Sequence, residues 1–372
     1  MTTTTTPASN KGLFAADLFH QICKNKSSQN LIISPISVQT ALAITYIGAK
    51  GETATELQSG LRLLVSDVEQ VGRHFANILL RNNGEAKLSI ANRIFTNDQY
   101  KIVPFFKEIA TKYFDSDAEQ LDFSQSSKAI NIINKWVEEK TNKKITNVVQ
   151  DGSVDCDTKA IIVNAIYFKG KWKTPFSKDM TRKSNFWVSK TESVQVDTIY
   201  GSEHFKYGEF PELNATAVEM PYKDSDISMI LILPKERDGL ADLESKLSSV
   251  VINEMSAKMC VKSLDLYMPK FKIEFTTRLT DTLKALGIRS LFENANLPEM
   301  FVSGPPVKVS DVHHKAFIEV NEAGSEAAAA TIVKISPMSL DFNKKKFNAD
   351  HPFVFAITSP EIVYFVGHLA KF

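Results

Sequence analysis

Residues 160–168, AIIVNAIYF, constrain this chain more than any other stretch. The run is apolar except for one residue, short, and rich in β-branched side chains, which suits a strand. A strand apolar on both faces must be covered on both faces. Asn164 stands in its middle. A buried amide left unpaired costs on the order of 1–3 kcal/mol, so the fold must bring a polar partner to it.

There is ample material for such a core, with 372 residues of which 43% are hydrophobic. Lys and Arg number 44 against 43 Asp and Glu, a balance that argues against nucleic acid or acidic membrane as a main partner. No run is long and apolar enough to span a bilayer. Cys23, Cys156 and Cys260 are odd in number and far apart, which fits neither a disulfide framework nor a zinc site. They read as buried or inert thiols.

In chain order, residues 1–10 read as a disordered tail and residues 13–23 as a helix. A short strand candidate at 31–33 precedes Ser34-Pro35, an N-cap serine with proline at the first helical position. The helix that follows, 36–47, is apolar nearly all round and should be buried, ending at Gly48 and Gly51. Two helices are expected in 52–83, a strand at 87–95, and helices at 104–114 and 128–141. Several short strands fill 186–233. A helix at 240–255, one strand at 264–275, a helix at 277–286 and a long strand at 307–320 follow. Residues 353–357 and 362–369 form a hairpin about a Ser-Pro-Glu turn. Helices first and strands after suggest one α+β domain over 11–372, with no linker or internal repeat.

A search for catalysis finds nothing. The chain holds no His-Glu-x-x-His helix, Gly-x-Ser-x-Gly elbow, phosphate loop or dinucleotide fingerprint. His313 and His314 are adjacent, and neighbours on a strand face opposite ways, so they do not share a metal. His314 reads as a core histidine with a hydrogen-bond partner. No cofactor is expected, and no metal site. A hydrolase on an unrelated fold therefore has no motif to stand on.

Residues 322–339, EAGSEAAAATIVKISPMS, are the odd segment. Ala327, Ala328, Ala329 and Ala330 favour a helix, whereas Thr331, Ile332 and Val333 favour a strand. With period 2, Ser325, Ala327, Ala329, Thr331 and Val333 share one small or apolar face. Gly324 lets the chain bend at the start, and Pro337 blocks regular structure near the end. By composition alone an Ala-rich surface helix also fits; loop, helix and strand all remain open.

Four separate motifs resemble the serpin family, in the family's order, and the match runs from about residue 13 to 372. They are LIISPISVQTALAITYIGAKGETATEL (31–57), IIVNAIYFKGKWKTPF (161–176), VNEAGSEAAAAT (320–331) and FNADHPFVFAI (347–357). The likeness is to insect serpins of the inhibitory type. It implies three β-sheets, termed A, B and C, with eight or nine helices and an exposed reactive-centre loop over about 322–342. It also implies a serine protease inhibitor, not an enzyme, that acts as a suicide substrate. The loop is cut, inserts into sheet A, and holds the protease as a covalent complex.

Carried over by position, the resemblance puts the reactive bond at Met338–Ser339, with Lys334 as the alternative. The hinge is Glu322, Gly324, Ser325, Ala327, Ala328, Ala329, Ala330 and Thr331, with Ser325 the first to enter the sheet. Trp172 and Lys270 match residues at the top of sheet A, Lys270 as partner of Glu322. Ser34, Pro35, Ser37, Asn164 and His314 match the region where the central strands part, with an Asn164–His314 hydrogen bond. The small hinge favours an inhibitor over the alternative, a non-inhibitory serpin serving as carrier, chaperone or storage protein. Met338 suits chymotrypsin-like or elastase-like pockets; Lys334 would suit a trypsin-like one. Residues 66–83 offer Arg73 and Arg81 as fixed cations, too few for a strong heparin site, and a monomer is expected. Asn25 and Asn214 head glycosylation sequons, and the start lacks an apolar leader. A secreted protein written without its signal is expected, with a cytoplasmic one as the alternative.

Overall fold

A computed structural model describes residues 9–24, 26, 28–80, 85–247, 252–302, 307–325 and 344–372. The first part is mainly helical. It comprises α1 (Ser9–Cys23), β1 (Leu31–Ile33), α2 (Pro35–Gly48), α3 (Gly51–Gly60), α4 (Val68–Leu79), β2 (Lys87–Asn97), α5 (Pro104–Phe114), β3 (Ala118–Leu121), α6 (Ser126–Lys140) and β4 (Ala160–Lys171). Strands then dominate: β5 (Arg182–Trp187), β6 (Ser193–Phe210), β7 (Ala215–Pro221), β8 (Ser228–Pro234), α7 (Leu240–Leu247), β9 (Cys260–Pro269) and β10 (Phe271–Arg278). After α8 (Thr280–Ala285) and α9 (Ser290–Glu293) come β11 (Val309–Asn321), β12 (Gly324–Ser325), β13 (Lys345–Asn348), β14 (Phe353–Thr358) and β15 (Val363–Leu369). Helix α1 takes in Ser9 and Asn10, the last two positions of the expected tail.

The six-stranded sheet runs β10-β11-β12-β4-β2-β3 and corresponds to sheet A. Its strand β4 is covered on both faces, as the apolar run requires. Ala160, Ile162, Ile166 and Phe168 face the main core. Ile161, Val163, Ala165 and Tyr167 face a second core closed by Ala129, Ile130, Ile133 and Val137 of α6. The period of two thus serves two layers of cover.

Helix α2 is buried along its whole length and packs against β2 and β4 on one side and β15 on the other. Ser34 caps it, its Oγ accepting from Ser37 N at 3.3 Å, with Pro35 at the first helical position. This apolar helix is the filling between the two sheets.

The larger sheet is nine-stranded. It holds the strands of sheets B and C, which are joined through β6 into one hydrogen-bonded array. That strand is 18 residues long, in place of the short strands expected there. It pairs with β5 from Ser193, with β9 along its middle and with β7 at its end. The expected strand at 264–275 is likewise two strands in two sheets. Pro269 closes β9 because it has no backbone donor, and Lys270 spans the step to β10. The expected helix at 240–255 ends at Leu247, and a 3-10 turn occupies Ile252–Lys258. Residues 277 and 278 complete β10 before α8 begins.

Gly367 shows how tightly the second sheet is closed. It lies between Ile32 of β1 and Phe355 of β14. A Cβ there would stand 2.2 Å from the Leu31 carbonyl oxygen. Gly367→Ala must push β1 away, and overpacking of this kind costs about 1–3 kcal/mol. Thermal unfolding of Gly367→Ala should show a lower midpoint than that of an exposed control such as Ser245→Ala. Equal midpoints would contradict this packing.

Candidate functional site: the seam of the six-stranded sheet

Strands β4 and β11 run parallel and are paired from Ala160/Val309 to Tyr167/Phe317. Above that point they part, and β12 fills the notch. Gly324 and Ser325 pair with Lys171 and Gly170 of β4 on one side, and with Asn321 and Val320 of β11 on the other. Gly324 and Ser325, two of the residues expected to form the hinge, therefore lie within the sheet. Gly324 has φ +149°, and a Cβ on it would stand 2.0 Å from the Gly170 carbonyl oxygen. Only glycine fits that approach.

Ser325 is fully buried, its Oγ 2.6 Å from the Tyr222 hydroxyl. Tyr222 stacks on Trp172 with ring centroids 4.6 Å apart. Trp172 Nε1 donates to Asn321 O at 2.9 Å, and its backbone N–H donates to Ala323 O at 3.0 Å. Glu322 is 3% exposed; its carboxylate meets Lys270 Nζ at 3.1 Å and accepts from Thr181 Oγ1 at 2.7 Å. Burial opposes ionisation of Glu322. Its own backbone N–H, the Thr181 hydroxyl and Lys270 outweigh that and hold the carboxyl below its usual range. The Pro269 break puts Lys270 within reach.

Lower in the seam lies a row of polar residues. Asn92 of β2, Asn164 of β4 and His314 of β11 are in register across three neighbouring strands. Ser34 N donates to His314 Nε2 at 3.3 Å. Nδ1 therefore carries the ring proton and donates to Asn164 Oδ1. The Asn164 amide donates in turn to Ser37 Oγ and to Asn92 Oδ1. The buried amide thus has the partner its sequence context demanded. Burial keeps His314 neutral, its pKa pushed down to about 3. His313 points the other way, with Asp311 3.8 Å from its Nε2.

Ser34, Pro35, Ser37, Asn164, Trp172, Lys270, His314, Glu322, Gly324 and Ser325, all expected from the sequence, are gathered along this one seam. Asn92, Thr181 and Tyr222 were not foreseen. Asn92 had a signal, an amide amid the apolar alternation of β2. Ala327, Ala328, Ala329, Ala330, Thr331, Lys334, Met338 and Ser339 lie outside the described residues. So do Asn25 and Arg81; Asn214 is half-buried in a turn with φ 49°. Arg73 is paired with Glu69 at 2.6 Å. Of the three thiols only Cys23 is buried; Cys156 and Cys260 are exposed. No described helix is long and apolar enough to cross a membrane.

A six-stranded sheet whose parallel strands β4 and β11 part at one end, with the two-residue β12 seated in the notch, points to one class of protein. The chain belongs to the serpin family: the serpin (serine protease inhibitor) profile matches residues 9–372. Serine protease inhibitor 42Dd of Drosophila melanogaster is 38% identical over 363 residues, covering 95% of each chain. Antichymotrypsin-2 of Bombyx mori is 36% identical over 358 residues, again covering 95% of each. The crystal structure of Serpin48 from Tenebrio molitor superposes with a TM-score of 0.91 at 32% identity, over 100% of both chains. The fold is thus the serpin fold.

The seam sets a pH dependence. The folded-state pKa values of His314 and His313 are both lowered, by burial first. The unfolded chain therefore takes up these protons first as pH falls. Stability from the neutral imidazoles is complete above about pH 6.5 and is lost as pH falls toward the folded values. By pH 5 the loss for His314 is on the order of 2 kcal/mol. Denaturant unfolding at pH 7.5 and pH 5 should show this decline, and His314→Gln should flatten it. An unchanged slope in that variant would place the titration elsewhere.

Proposed function

We propose that this serpin, like the relatives named as protease inhibitors, inhibits serine proteases. It does so by covalent trapping, with cleavage after Met338 and insertion of the loop between β4 and β11. The observation that carries the reading is the seating of Gly324 and Ser325 between those strands. The hinge has started on the path, and Ala327, Ala329, Thr331 and Val333 continue the small or apolar face that Ser325 begins. A target protease attacks the Met338 carbonyl, forms the acyl-enzyme and releases Ser339 as the new N-terminus.

The freed upstream segment then extends β12 downward. The β4–β11 ladder parts from the Tyr167/Phe317 end, and the Asn164–His314 bond is broken to let the strand through. At ~3.3 Å per residue, 14 residues carry the tethered protease on the order of 45 Å. About ten new ladder hydrogen bonds at ~1 kcal/mol net drive the step, with burial of the small face in addition. The uncut molecule is therefore held kinetically above its lowest state. An apolar residue before the scissile bond favours a chymotrypsin-like or elastase-like target. The alternative, a carrier or storage role, predicts cleavage of the loop without a trapped protease.

Mixing the protein with chymotrypsin or elastase should give an SDS-resistant band of higher mass. The released peptide should begin at Ser339 by mass spectrometry; a start at Ile335 would assign Lys334 instead. Ser325→Arg drives a charge against Tyr222 in a buried site. That variant should be cleaved at the same bond but trap less than about a tenth as much protease, since burying an unpaired charge costs several kcal/mol. Undiminished trapping by Ser325→Arg would rule out entry through this notch.

A further inference from the structure

Away from the seam, three buried side chains from distant parts of the sequence converge. Cys23 ends α1, Glu244 lies in α7 and His368 in β15. Their Sγ, carboxylate oxygen and Nδ1 all lie within 4.8 Å of one another, and all three residues are buried. His368 is 0% exposed, Cys23 and Glu244 5% each.

The hydrogen bonding around His368 is directional. Its Nε2 lies 2.5 Å from the Gln29 carbonyl oxygen, which only accepts, so Nε2 carries the proton. In a neutral ring, Nδ1 is then a bare lone pair. That lone pair faces Glu244 Oε1, also an acceptor, with Cys23 Sγ at 4.0 Å. Oε1 is buried, with no donor at hydrogen-bond geometry. With the ring neutral, a single weak thiol donor stands against two facing acceptors; with Nδ1 protonated, ring and carboxylate form an ion pair.

We propose that Cys23, Glu244 and His368 form a structural site for a divalent, borderline-soft cation of the zinc type. The donor set is one such ions take, with thiolate, imidazole and carboxylate as three protein ligands and a water in the fourth place. A histidine bound through one ring nitrogen while the other donates to a backbone carbonyl is the usual outer arrangement of a metal site. Charge balances as well: thiolate and carboxylate neutralise the dication, so no net charge is buried. On binding, the Cys23 thiol loses its proton to solvent and sulfur takes the metal. Tetrahedral geometry requires ligand separations of about 3.3–3.6 Å. The sulfur–nitrogen distance closes slightly to reach that, and the nitrogen–oxygen contact opens.

Such a cation ties α1 and α7 to the β14–β15 hairpin of the nine-stranded sheet. It would stabilise the frame and leave the seam alone. The site was invisible in the sequence, where Cys23 and His368 are 345 positions apart.

The test uses full-length protein carrying Cys156→Ser and Cys260→Ser, which removes the two exposed thiols. Chelator-stripped protein is titrated with cobalt(II), followed by zinc. The proposal expects one cobalt per chain with a thiolate-to-cobalt charge-transfer band, displaced by zinc, and a melting midpoint that rises with zinc concentration. Adding Cys23→Ser or His368→Gln should weaken binding at least about 10-fold and abolish the band in the serine variant. Cys23 should resist alkylation in the zinc form and react after chelation under mild denaturant. Absence of the band in the intact cluster, with identical melting in zinc and chelator, would overturn the proposal. The three residues would then be an imidazolium–carboxylate pair beside an inert thiol. The proposal fails equally if both cluster variants retain full cobalt binding while folded by circular dichroism.

Discussion

The parallel ladder between β4 and β11 is the constraint on which the rest depends. Parallel pairing requires a long crossover between the two strands, and the chain from residue 172 to 308 provides it. In that interval it builds most of the nine-stranded sheet. Each of the two strands has an antiparallel neighbour on its far side, β2 for β4 and β10 for β11. Parting the seam therefore leaves two intact half-sheets, with one edge each to be satisfied. A strand entering antiparallel to both neighbours restores every lost backbone bond and adds others. The proposed insertion would therefore open the sheet at one place without dismantling the rest.

That place is held by two devices of different kinds. At the top are aromatic stacking and an ion pair: Trp172 on Tyr222, and Glu322 with Lys270 and Thr181. They fix the two ends of the hairpin that carries the hinge. Lower down is a row of amides and an imidazole, Asn92, Asn164 and His314, joined to one another by hydrogen bonds. A polar row suits a seam that, under the proposed insertion, would hold and then reopen. Apolar side chains would lose burial only gradually as strands separate, whereas directional bonds hold until broken and are then replaced.

Much of this was legible in the sequence, and for physical reasons. The apolar run of β4 demanded cover on both faces, and α2 and α6 provide it. Asn164 demanded a partner and has three, in His314, Ser37 and Asn92. Ser34-Pro35 announced a helix start, and the cap is made. What was not legible is what depends on distant pairing. Nothing local says that β6 continues unbroken through two regions, because its partners β5, β9 and β7 change along its length. Tyr222 and Thr181 reach the hinge only once β7 and the turn before β5 are packed in place. Pro269 was a readable break that a long apolar pattern concealed.

The separation of a movable seam from a fixed frame explains where polar groups sit in the core. Buried polar clusters cost stability unless fully satisfied, and a chain that only had to be stable would avoid them. The seam cluster is satisfied internally and lies within the paired β4–β11 ladder, below the point where the strands part. The Cys23, Glu244 and His368 cluster, in which Glu244 Oε1 lacks a donor while the ring is neutral, stands where α1, α7 and β15 meet, away from the β4–β11 ladder. The seam's bonds are balanced among its own residues, and they are the ones the proposed insertion would break. The second cluster is balanced only by a proton on the ring or by the proposed cation, and neither depends on the ladder parting.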